Sequence, residues 1–193
     1  MADEGKSPSA DPDGELVRAI ARGDQRAARA LIDRHLPKMV ALGRRLLGNQ
    51  SDAEDVAQDV FLKVWVNAAS WKPGGAKFET WMHRVAINLC YDRLRKRKPV
   101  ALEDVAEPVD EAPAPGAALA EADIGAAVDA ALSRLPERQR AAIVLCHYQS
   151  LTNIEAAKTL EISVEALESL LARGRRALRQ SLKGKLPDLL GEN

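Results

Sequence analysis

The chain has 193 residues, 46% of them apolar, with only three Trp, two Phe and two Tyr, so a core must come from Ala, Leu and Val. Its 28 basic and 28 acidic residues cancel, which argues against a general nucleic-acid coat held by net charge. Cys90 and Cys146 show no C-x-x-C spacing, no run approaches the ~18 apolar residues of a membrane span, and the N-terminus lacks a signal h-region; the expected location is cytoplasmic. Charge is nonetheless segregated. Every charged residue between Ala101 and Ser133 is acidic, and every one between Leu171 and Lys185 is basic.

Residues 1–12 are polar, with Pro8 and Pro12, and read as a disordered tail. A helix is expected from about Asp13 to Gly23, and Asp24 can cap a second through Leu31 to His35. Pro37 should break or restart it, before a stretch carrying Val40, Leu42, Leu46 and Leu47 stops at Gly48-Asn49.

Ser51-Asp52-Ala53-Glu54 has the form of a capping box opening a helix to about Ala69. Ala53, Val56, Ala57, Val60, Phe61, Val64 and Trp65 give it a core side. Its other side carries Asp52, Asp55 and Asp59 with Leu62 and Val66 set between them. Apolar groups inside an acidic stripe suit a protein-docking surface with carboxylates at its rim; scattered exposed apolar residues would account for them equally.

Residues 71–77 form a loop with two glycines, Trp71, Lys72 and Lys77. The helix after it, about Glu79 to Arg97, places Arg84, Asn88, Tyr91, Arg95 and Lys98 on one face, with Arg93 beside them. An aromatic-bearing loop leading into a basic helix can hold an unstacked single strand by stacking and phosphate contact; anionic lipid is a weaker alternative. From Pro99 onward, with Pro108, Pro113 and Pro115, the chain is an acidic, Ala-rich linker. Helicity resumes near Leu119, and Pro136 suits the first position of the next helix.

Thr152-Asn153-Ile154-Glu155 is a capping box for a short helix, and Ser163 can cap another in which Val164, Leu167, Leu171, Gly174 and Leu178 form a buried stripe. The opposite side carries Glu165, Ser169, Ala172, Arg173 and Arg176. Two short helices and a tight turn suit a helix-turn-helix entering a major groove, or an ordinary helical hairpin. No strand pattern competes anywhere, so the fold class is all-α. No phosphate-binding loop, zinc motif or nucleophile elbow is present. Catalysis, a metal and a cofactor are therefore not expected.

The residues resemble the extracytoplasmic-function (group IV) sigma factors of the bacterial sigma-70 superfamily, from about Glu15 to Leu182. The run Asp52-Ala53-Glu54-Asp55-Val56-Ala57-Gln58-Asp59-Val60-Phe61 resembles region 2.2, and Phe78, Trp81, Arg84, Val85, Ala86, Asn88, Asp92 and Arg93-Leu94-Arg95 resemble regions 2.3 and 2.4. Leu135-Pro136-Glu137-Arg138-Gln139-Arg140 resembles the start of region 4, with its helix-turn-helix over Leu151 to Leu178.

The resemblance implies two helical domains, region 2 over 13–98 and region 4 over 119–185, on a linker at 99–118. It implies partners: the β′ clamp helices of core RNA polymerase for Asp52, Asp55, Gln58, Asp59, Leu62 and Val66, and the β flap for region 4. Promoter DNA would meet Trp71, Lys77, Arg84, Asn88, Arg93 and Arg95 at the −10 element. At the −35 element it would meet Ser163, Glu165, Glu168, Ser169, Arg173, Arg175, Arg176 and Arg179. An anti-sigma factor, membrane-anchored in many members, is a further implied partner. The chain departs from the family at Glu161, where the turn usually has glycine, and at Glu168 and Leu170, often Lys and Arg. Two alternatives are a stand-alone helix-turn-helix regulator and a polymerase-binding adaptor that does not read promoters.

Overall fold

A computed structural model describes residues 11–71, 77–97 and 117–183, all helix and turn. The expected tail up to Ala10, loop residues 72–76, Lys98, linker positions 99–116 and the end beyond Lys183 lie outside the described residues. The helices are α1 (Gly14–Ala21), α2 (Gln25–Leu47), α3 (Gln50–Asn67), α4 (Phe78–Arg97), α5 (Ala117–Ser133), α6 (Glu137–Ile143), α7 (Asn153–Leu160) and α8 (Val164–Leu182). A π-helical turn, Val144–Tyr148, extends α6.

Local chemistry sets most boundaries. The Asp24 carboxylate accepts the amides of Arg26 at 2.8 Å and Ala27 at 3.2 Å, opening α2. Gly48, at φ 70°, closes it in the left-handed region that glycine enters without steric cost. Pro37 does not break α2, contrary to expectation. Leu31, His35, Met39, Leu42 and Leu46 form an unbroken buried stripe across it, while Pro37 itself faces outward. Packing on both sides of the proline thus offsets an interior cost of about 3 kcal/mol.

α3 is capped two residues earlier than expected: Asn49, not Ser51, is its N-cap, its side chain accepting the Asp52 amide at 3.0 Å. Pro136 likewise precedes α6 as its N-cap rather than opening it. The α3 stripe packs on α2, and a Cβ on Gly43 would lie 2.9 Å from the Ala53 Cα. Trp65, expected in the core, is 40% exposed and meets Phe61 edge-on with centroids 5.7 Å apart.

The second cluster centres on Leu132, Leu145, Ala156, Leu167 and Leu171. Gly174 lets α8 approach α6, since a Cβ there would sit 3.1 Å from Ile143 Cγ1. The two clusters dock: α2 meets α5, α6 and the π turn, and α4 meets α7. At the end of α2, where carbonyls lack helical partners, Arg140 Nη1 donates to the Leu46 carbonyl at 2.6 Å and Arg97 Nη1 to that of Leu47 at 3.1 Å.

Candidate nucleic-acid interface

The helix-turn-helix is assembled by its own sequence signals. The Glu155 amide donates to Thr152 Oγ1 at 3.3 Å, and Glu155 Oε2 accepts the Thr152 amide at 3.1 Å, completing the capping box. α7 ends in a Schellman turn, the Ile162 amide donating to the Ala157 carbonyl at 3.0 Å. The left-handed position of that turn is Glu161, at φ 55° and ψ 46°. The geometry that glycine would serve is therefore kept, with a glutamate bearing it. Ser163 Oγ then accepts the Ala166 amide at 3.2 Å and opens α8.

On α8, Leu167, Leu171 and Gly174 are buried, while Glu165, Glu168, Ser169, Arg173, Arg175, Arg176 and Arg179 are exposed. Charge changes sign along this face. Glu165, held below the usual carboxylate range by its own amide and the Ser163 side chain, stands at the positive N-terminal end. Glu168 accepts from Asn153 Nδ2 of α7 at 3.4 Å. Arginines follow about one to three turns after Glu168, where phosphates would be met.

On α4, Arg84, Asn88 and Arg95 are exposed. Arg93 is turned back to Asp59 of α3 at 3.0 Å, joining two residues expected at different surfaces. Arg95 pairs with Asp92 at 2.5 Å, and Arg97 with Asp52. Trp71 packs edge-on against Phe78 at 5.4 Å, and Phe78 stacks on Trp81 at 5.3 Å, so its ring braces the base of the loop. Lys77 pairs with Glu155 at 2.8 Å and Arg84 with Glu161, both partners lying on the helix-turn-helix.

Along α3, Asp55 and Gln58 are exposed, Asp52 and Asp59 half-buried. Leu62 is 64% and Val66 81% exposed. Trp65 neighbours Leu62 at i, i+3 spacing, which makes the apolar patch larger than periodicity predicts, because a residue at the margin of a stripe serves either side. The contacts across the two clusters are the other feature that sequence reading missed. No local signal encodes which charges meet across a 77-residue separation.

Among the described residues no His, Cys, Asp and Glu group is arranged to hold a metal ion, and no helix is long and apolar enough to cross a membrane.

Comparison with known proteins places the chain in a family. A model of sigma-70 region 2 matches residues 31–100, and one of sigma-70 region 4 matches residues 125–178. The chain is 37% identical over 182 residues to the ECF RNA polymerase sigma factor SigE of Mycolicibacterium smegmatis, covering 91% of this chain and 70% of that protein. It is 32% identical over 178 residues to SigW of Bacillus subtilis, covering 86% and 95% respectively. Among solved structures, CnrH in complex with the cytosolic domain of CnrY superposes with a TM-score of 0.70 at 27% identity, covering 90% of this chain and 98% of that one. The chain belongs to the extracytoplasmic-function group of sigma-70 family RNA polymerase sigma factors.

Proposed function

We propose that this protein joins core RNA polymerase as a non-catalytic specificity subunit and directs transcription initiation at particular promoters. The observation that carries the reading is the presence of both regions on one chain, each with an exposed surface of matching chemistry. The functional units are residues 13–98 and 119–185 on a linker at 99–118, in a cytoplasmic protein.

The α3 stripe of Asp52, Asp55, Gln58, Asp59, Leu62 and Val66, to which we add Trp65, docks on the β′ clamp helices. An apolar centre rimmed by carboxylates supports that role. α8 enters the major groove of the −35 element and region 4 contacts the β flap. Lys77, Arg84, Asn88 and Arg95 hold the melted −10 strand beside Trp71 and Arg93. An anti-sigma factor holds the chain inactive, a partner the family resemblance implies; the similar CnrH is solved bound to the cytosolic domain of another protein, CnrY.

The test is in vitro transcription from genomic fragments with purified core polymerase. Leu62→Ala/Val66→Ala should lose core binding, and Arg84→Ala/Arg95→Ala should keep core binding yet lose promoter opening. Specific duplex binding by the free chain, with transcription indifferent to it, would replace this reading with that of a stand-alone regulator.

A further inference from the structure

The contacts between the two clusters fall into two kinds. One is buried and neutralises nothing on DNA: His83 Nε2 lies 3.3 Å from Gln149 Oε1, Gln149 Nε2 donates to the Lys38 carbonyl at 3.2 Å, and Arg140 donates to the Leu46 carbonyl. These hold the register, helped by the Arg45 guanidinium 3.9 Å over the Tyr148 ring. The other kind is exposed and ionic. Glu155 takes Lys77, and Glu161 takes Arg84.

Both cations belong to the surface assigned above to the −10 strand, and both carboxylates belong to the helix-turn-helix. We infer that the docked arrangement is a closed state in which Glu155 and Glu161 stand where strand phosphates would sit, so that α4 holds either the helix-turn-helix or a single strand. The inference rests on the −10 reading of α4 and adds its regulation.

Three features fit a competitive latch. Exposed ion pairs are individually weak, so a polyanion can exchange them. Glu161 occupies a backbone conformation that costs a non-glycine residue energy, and from there its carboxylate reaches Arg84. Closure is also selective: the arginines of α8 and the Leu62–Val66 patch stay exposed while Lys77 and Arg84 are engaged. The closed chain can therefore meet polymerase and duplex first, and the melted strand only on opening.

The experiment uses the full chain, with donor and acceptor dyes on Lys63→Cys and Lys158→Cys in a Cys146→Ser background, and a dye-labelled mixed-sequence DNA single strand as probe. Glu155→Gln/Glu161→Gln should lower energy transfer between the clusters and tighten strand binding by about tenfold, the scale of two exposed ion pairs. In the unsubstituted chain, adding the strand should produce the same drop in transfer. Glu15→Gln/Glu54→Gln, an equal charge change away from the interface, should leave both readings unchanged. Equal strand affinity with and without the Glu155 and Glu161 carboxylates, or strand binding with no change in transfer, overturns the closed state while leaving the −10 reading intact. Absence of strand binding by every variant, with helix content and core binding preserved, overturns the −10 reading and the inference with it.

Discussion

Glu161 shows how one residue can be poorly suited to its backbone and still be retained in the fold. Its φ of 55° favours glycine, and the chain places a carboxylate-bearing residue there. In an Arg84→Ala background, which removes the ion pair from the comparison, Glu161→Gly should raise unfolding stability by about 1 kcal/mol in urea titration. An unchanged or lower stability would mean that the turn is not strained.

His83 is fully buried on α4. Burial pushes its pKa below the ordinary 6.5, against the opposing pull of the Glu79 carbonyl and Gln149. The folded chain keeps it neutral while the unfolded chain protonates it, so its contribution is intact above pH 6.5 and declines as pH falls below that value. Stability should drop between pH 7.5 and 5.5, and His83→Asn should flatten that part of the slope. Cys90 behaves similarly toward thiol reagents: burial pushes its pKa up to about 12, so Cys146 should be modified first and Cys90 only on unfolding.

Among the elements, α2 carries the most structural consequence. Its last carbonyls are served by arginines from two different parts of the chain, Arg97 and Arg140. Arg140→Ala should cost about 2–4 kcal/mol, because it strips donors from the carbonyls of Leu46, Ser133 and Leu135 together. Arg140→Lys should rescue little, since an ammonium lacks the planar fork that reaches several acceptors. Gly43→Ala, which forces a Cβ against the Ala53 backbone, should cost about 1–3 kcal/mol through spreading of α2 from α3.

What could be read from sequence at this scale was local. The Thr152 box and the Ser163 cap lie within three residues of what they bind, and both form as expected. Asn49 and Ser51 compete for the same role two residues apart, and pattern alone chose the wrong one. Pro37 misled because the rule for proline is local, while the stripe from Leu31 to Leu46 is held by other helices. Trp65 misled because it sits at the stripe's edge.

At the scale of the whole molecule, a net charge of zero conceals surfaces that complement one another. The acidic contributors Asp129, Glu155 and Glu161 reach Arg44, Lys77 and Arg84 respectively across the two clusters. None of these pairings is legible from sequence, because a surface charge carries no mark of its distant partner. Raising salt screens exposed pairs, so energy transfer between the dyes at positions 63 and 158 should fall as salt rises. Glu155→Gln/Glu161→Gln should blunt that response.

Arg140 adds a thermal dimension to the same junction. The residue is 9% exposed and its guanidinium bridges the clusters, so parting them returns a charged group to water. Hydration of ions is entropically unfavourable and weakens on heating. Warming therefore lessens the reward for wetting this side chain, and through Arg140 the junction leans toward closure as temperature rises. A promoter-reading surface would then be gated by heat as well as by anions, through one buried arginine.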